Sequence, residues 1–181
     1  NQYIAPRDYL IQMPKRPARC YTKISSPPYT RKEYIHGVPA PEIRMFEMGN
    51  TKEKDKFRAW VHLYAIEPGN IRARSLEAAR KAANYVLKKL GRNAYFLKIC
   101  VYPHHVLREN KMMSGAGADR VQKGMRLAFG KPIETAAHIR KETLIMEAAS
   151  HVENLEHLKE AIRRASHKIP LKTRIVVEVK K

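Results

Sequence analysis

Residues 57–102, FRAWVHLYAIEPGNIRARSLEAARKAANYVLKKLGRNAYFLKICVY, decide how this chain folds. The opening alternates: Ala59, Val61, Leu63 and Ala65 fall on one side, Trp60, His62 and Tyr64 on the other. That is the period of a strand with two distinct faces. Pro68, Gly69 and Asn70 are turn formers and should close it. Then the period changes. Leu76, Ala79, Ala83, Val86, Leu87 and Leu90 share one face of a helix, with Ser75 placed as its N-cap and Gly91 as its C-terminal stop. AYFLKICVY, from Ala94, is a second alternating strand, in which Cys100 reads as a small buried hydrophobe.

Working outward, Ile43 to Met48 (IRMFEM) reads as a strand ending at Gly49, joined to Phe57 by the charged turn NTKEKDK. On the far side, PIETAAHIR and ETLIMEAAS read as two strands joined by a tight charged turn. NLEHLKEAIRRASHKIP is a helix with Leu155, Leu158, Ile162 and Ala165 inward, and TRIVVEVK is a closing strand. Helices lying on one face of a mostly antiparallel sheet make this a single α+β domain. Residues 42–181 form that core, with a glycine-rich loop at 110–132, and residues 1–41 form an arm. Seven of the eleven prolines lie in the arm, so extended, irregular backbone is expected there.

Charge narrows the function. The chain of 181 residues carries 36 Lys and Arg against 17 Asp and Glu, a net charge of +19. Self-repulsion of that size makes a polyanionic partner the natural explanation. No run approaches the ~18 apolar residues that span a bilayer, and no signal peptide is visible, so nucleic acid is favoured over a membrane. In the arm, Tyr3, Tyr9, Tyr21, Tyr29 and Tyr34 are interleaved with Arg7, Arg16, Arg19, Lys23, Arg31 and Lys32. Guanidinium groups on phosphates and rings stacked on bases are how such a segment lies on RNA.

The loop, NKMMSGAGADRVQKGMRLAFGKP, holds four of the eight glycines. A dinucleotide fingerprint would need its third glycine at Arg120, and Pro132 follows Gly130-Lys131 where a P-loop needs Ser or Thr. Ser114 has no general base tied to it by spacing. His104 and His105 are adjacent, so on a strand they point to opposite faces and do not share a metal. Two cysteines, Cys20 and Cys100, form no Cys-x-x-Cys pair. Neither catalysis, a cofactor nor a metal is therefore expected. Asp119 to Phe129 has helical spacing. Arg108, Lys111, Arg120, Lys123, Arg126 and Lys131 give the region 104–132 its basic excess, and His104 and His105 read as polar or RNA-facing imidazoles.

The chain resembles a known family through several motifs in order: RPARCY at 16–21, YTRKEYI-x-GVP at 29–39, SLEAAR at 75–80, PH-x-VLRENK at 103–111, GAGADRVQ-x-GMR at 115–126, AFGK at 128–131 and EH-x-KEA-x-RRA at 156–165. These are similar to the archaeal and eukaryotic large-subunit ribosomal protein L ten e, the counterpart of bacterial L sixteen. The resemblance implies an α/β-hammerhead-type fold and a structural role in a cytoplasmic ribosome. Its implied partners are large-subunit rRNA near the central protuberance and stalk base, in the vicinity of 5S rRNA, neighbouring ribosomal proteins and tRNA, without a homo-oligomer. It places Arg16, Arg19, Tyr21, Lys23, Arg31, Arg108, Lys111, Arg120, Lys123 and Arg126 on rRNA. It extends Met112, Met113, Ser114, Gly115, Ala116, Gly117, Ala118, Asp119 and Gln122 toward tRNA and the peptidyl-transferase region. The rival readings are an RNA-modifying enzyme that uses the glycine loop for a cofactor, and a basic DNA-binding module. Residues 1–15 precede the family pattern, and the turn at Lys52 to Lys56 carries Glu53 and Asp55.

Overall fold

A computed structural model describes residues 16–110 and 129–180. Its strands are β1 (Glu47–Gly49), β2 (Ala59–Ala65), β3 (Gly69–Arg72), β4 (Tyr95–Ile99), β5 (His105–Glu109), β6 (Lys131–Ile139), β7 (Leu144–Ser150) and β8 (Thr173–Val179). The two described helices are α1 (Ala73–Leu87) and α2 (Leu155–Ser166). A five-stranded antiparallel sheet runs β1-β4-β7-β2-β8, and a three-stranded one runs β3-β6-β5. The α+β expectation, with helices on one face of the larger sheet, matches this arrangement.

The alternation in β2 does what its period requires. Val61 and Leu63 lie opposite Ala148 and Met146 of β7, which in turn face Leu97 and Ile99 of β4. These residues join Leu76, Ala83 and Leu87 of α1 and Leu158, Ala161 and Ile162 of α2 in one core. Burying each large aliphatic side chain there is worth about 1.5–3 kcal/mol. The other face of β2 makes a smaller cluster: Trp60 packs with Phe57, Phe96 and Ala149 and donates its indole N–H to the Phe57 carbonyl at 3.0 Å.

Several local expectations change. The helix begins at Ala73, two residues before Ser75, with Arg72 at the cap and no side-chain capping bond. Packing of Ala73 and Leu76 sets the start, not the best capping residue. Gly91 does end the helical run, with φ +96° after a 3-10 turn at Lys88–Leu90. Gly69 and Asn70 continue as β3 instead of closing a turn. A Cβ on Gly69 would sit 2.4 Å from a Leu171 methyl and 3.1 Å from the Thr22 carbonyl, so glycine permits this close approach. The two strands after the loop are not a paired hairpin: β6 belongs to the small sheet and β7 to the large one. Only Glu47–Gly49 of the first expected strand pairs. Cys100 lies just past β4 and is exposed. The strand β5 had no separate expectation. The helix expected from Asp119 lies outside the described residues up to position 128.

Candidate nucleic-acid interface

The three-stranded sheet is a platform for the arm. On its β3 edge, Asn70 donates its backbone N–H to the Thr22 carbonyl (3.0 Å) and its side-chain amide to the Lys23 carbonyl (3.3 Å). On its β5 edge, Val106 donates to the Tyr29 carbonyl (2.9 Å) and Tyr29 donates its own N–H to His105 Nδ1 (2.7 Å). The arm thus spans the sheet from edge to edge between Thr22 and Tyr29. An acceptor at Nδ1 requires a neutral ring protonated at Nε2. Burial, aided by His138, His104 and Arg108, lowers the His105 pKa to about 4, so the ring is neutral near pH 7. His138 makes a 3.1 Å contact from Nδ1 to Asn70 Oδ1, and its ring meets that of His105 edge-on at 6.2 Å.

A second set of contacts ties the arm to the foot of the glycine-rich segment. Glu109, the last residue of β5, accepts from the Tyr21 hydroxyl (2.8 Å) and pairs with Arg16 Nε (3.1 Å). Arg72 donates to the Arg16 carbonyl at 3.1 Å, and its guanidinium lies over the Tyr21 ring at 5.8 Å. Desolvation, followed by the bond to Glu109, pushes the Tyr21 phenol pKa up, so it stays a donor. Arg108 is held between two rings, 4.7 Å from Tyr29 and 3.8 Å from Phe129. The rings themselves meet edge to face at 5.9 Å. Tyr29 is in the arm, while Phe129 is where the described chain resumes after the loop. One guanidinium therefore joins arm, β5 and loop foot, at about 0.5–2 kcal/mol per ring.

Beneath this lies a buried ionic group. Glu134, only 4% exposed, meets Arg74 Nε at 2.8 Å and Arg72 Nη1 at 3.8 Å, and Arg74 reaches on to Glu42 at 3.0 Å. It fixes the start of α1 to the middle of β6.

The expected contact residues therefore divide. Tyr21, His105 and Arg108, with Arg16, hold the arm and the loop foot together. Arg19, Lys23, Arg31 and Lys131 are exposed and form no ion pair among the described residues. His104 faces the Tyr102 carbonyl at 2.9 Å. Lys111, Met112, Met113, Ser114, Gly115, Ala116, Gly117, Ala118, Asp119, Arg120, Gln122, Lys123 and Arg126 lie outside the described residues. Sequence reasoning passed over Asn70, Arg72, Arg74, Phe129, Glu134 and His138. Two signals were present: arginines at alternate positions, Arg72 and Arg74, where α1 begins, and a lone acid within the apolar run of β6. Among the described residues no group of three or more His, Cys, Asp or Glu could hold a metal. No helix among them is long and apolar enough to cross a membrane.

A family model described as ribosomal protein L16p/L10e matches residues 24–176. Relatives named large ribosomal subunit protein uL16 include one from Staphylothermus marinus, 60% identical over 165 residues, covering 91% of this chain and 94% of that one. The Hyperthermus butylicus protein is 53% identical over 171 residues, 91% of this chain and 94% of its own. That of Pyrobaculum aerophilum is 51% identical over 171 residues, 93% and 95% respectively. On a family match over residues 24–176, which takes in the C-terminal part of the arm, both described helices and nearly all of both sheets, the chain belongs to the L16p/L10e family of ribosomal proteins.

Proposed function

We propose that this chain is a structural constituent of the large subunit of a cytoplasmic ribosome, binding rRNA and neighbouring ribosomal proteins. It is not an enzyme, and the RNA-modifying alternative finds no support in a family of ribosomal structural proteins. The observation that carries the reading is the arm: in a chain of net charge +19, the exposed cations Arg19, Lys23, Arg31 and Lys131, which form no ion pair among the described residues, lie around a segment pinned to the three-stranded sheet. Pinning lowers the ordering entropy that a free basic tail would lose on binding RNA.

The finer reading extends this. The arm and the loop segment bind rRNA near the central protuberance and stalk base, in the vicinity of 5S rRNA. Residues 112–122 reach toward tRNA and the peptidyl-transferase region, and one copy acts without self-association. Within the contact set, Arg16, Tyr21, His105 and Arg108 brace the arm. Arg19, Lys23, Arg31, His104 and Lys131, together with Lys111, Arg120, Lys123 and Arg126, meet RNA. The support is that the brace meets Glu109, just before the glycine-rich stretch 110–132, and Phe129, near its C-terminal end.

Two measurements test it. The chain should co-sediment with large subunits through a moderate-salt wash; recovery as free protein would sink the general reading. In a Cys100→Ser chain, which removes the other exposed cysteine, tethered iron at Cys20 should cleave large-subunit rRNA beside the arm, with Cys20→Ser added when the probe is moved elsewhere. The same probe on Ser114→Cys should cleave tRNA or peptidyl-transferase rRNA. Cleavage confined to other rRNA would remove the loop assignment alone.

A further inference from the structure

The outer surface of the two helices carries a second group of cations, apart from the arm and its sheet. Ala82 and Tyr85 of α1 line a cleft of about 300 Å³ with Arg164, His167 and Lys168 at the end of α2. None of these lining residues is acidic. Tyr85 is 66% exposed, although its neighbours Ala83 and Val86 are in the core. Lys89, one turn on, places its ammonium 5.7 Å from the Tyr85 ring centre. Arg164 donates from Nε to Glu160 at 2.7 Å.

Part of this has a local cause. The last turns of both helices meet here, and cations near a helix C-terminus offset the partial negative charge of the unpaired carbonyls. That accounts for Lys89, Arg164 and Lys168, but not for a tyrosine left two-thirds in solvent between them. Nor does it account for the small Ala82, which lines the same cleft and leaves it room. A flat ring bordered by several cations, with no acid lining the cleft, matches an unpaired base and its two adjoining phosphates.

We infer that this cleft is a second rRNA contact, in which Tyr85 stacks on an unpaired base while Lys89, Arg164 and Lys168 take the flanking phosphates. The inference rests on the reading of the chain as an rRNA-binding ribosomal protein. It adds a surface on the helices, outside every residue assigned above to RNA.

The test replaces Tyr85 by the photoreactive p-benzoylphenylalanine in the full chain, with irradiation of large subunits assembled with it. A crosslink to rRNA supports the contact. A crosslink to protein alone, or none from a chain that co-sediments, overturns it and leaves the ribosomal reading standing. Failure to co-sediment overturns both. Release by salt provides the second arm. Tyr85→Phe keeps the stacking face and should be retained like the parent, whereas Tyr85→Ala should bind about tenfold more weakly. Equal release of all three, with unchanged thermal unfolding, removes the stacking role.

Discussion

The two sheets are stabilised by different chemistry. Against the five-stranded sheet, the helices bury an almost wholly apolar interior in which Leu63, Leu97, Leu158 and Ile162 are fully shielded. Against the three-stranded sheet, the arm is held by backbone bonds, one carboxylate shared by Tyr21 and Arg16, and a guanidinium between two rings. Apolar burial is additive over area and indifferent to what lies outside. Polar contacts of the second kind are each worth about 0.5–1.5 kcal/mol and exchange readily for equivalent contacts to another polar surface. The apolar core, which Ile71, Ala137 and Ile139 of the small sheet also enter, thus gives the chain its fold, while the edges of the small sheet hold the arm by polar contacts.

Substitutions at the large sheet should have the greatest effect on stability. Leu63→Ala should lower unfolding free energy by about 2–5 kcal/mol, through reduced transfer energy and a residual cavity. A denaturant melt measures this; a loss below about 1 kcal/mol would mean the core relaxes to fill the space. Next is Glu134→Gln at the boundary between the sheets. It strands Arg72 and Arg74 beside a neutral amide, and breaking a buried ion pair costs about 3–5 kcal/mol. Because the Arg74 side chain is 30% exposed and keeps Glu42, the loss should fall at or below the lower end. A value equal to that of an exposed pair, near ~0.5 kcal/mol, would place Glu134 outside the structural frame.

The same division decides how far the sequence could be read. Periodicity reports burial, so β2, α1, β4 and α2 were legible wherever one face met the apolar core. The small sheet reaches the same core through Ile71, Ala137 and Ile139, and of its strands only β6 was legible as one. Gly69 and Asn70 of β3 look like a turn, and only the approach of Thr22 and Leu171 explains a glycine there. Strand β5 begins at the second residue of the histidine pair, and β6 leads into a neighbouring sheet with no sign of it in the residues. The candidate interface was legible as charge and as family motifs. Its geometry was not, because Glu109, Arg108 and Tyr29 are brought together across long stretches of chain.

On the arm side, acid should act before heat. The ordinary histidine pKa is 6.5, and the folded value of His105 is about 4. Between these values an undocked or unfolded state binds more protons than the folded one. The contribution of the neutral ring is therefore full above pH 6.5 and is lost as pH falls toward 4. Protonation removes the acceptor for the Tyr29 N–H. In an NMR titration the Tyr29 amide and the His105 ring should move together, with a midpoint well below 6.5, while core amides stay put. A Tyr29 amide titrating near the ordinary histidine value would break the link. A smaller loss, about 1 kcal/mol, should follow Tyr29→Ala, which removes one of the two rings around Arg108. It should appear as earlier proteolysis in the arm with little change in the global melt.

The smallest change in stability should come from the exposed cations proposed to meet RNA. Arg19, Lys23, Arg31 and Lys131 form no ion pair among the described residues, so changing all four to alanine should alter the melt by only about 0.5 kcal/mol per site at most. Relief of self-repulsion in a chain of net charge +19 pushes that change toward stabilisation. Binding should respond in the opposite sense. For each phosphate no longer neutralised, the slope of log affinity against log salt should fall by about 0.7–0.9. A fourfold variant whose slope drops by about three units while it melts normally would separate binding from folding, as the contrast between the sheets requires. An unfolded variant, or one with an unchanged slope, would mean that these cations brace the arm and that RNA is met elsewhere.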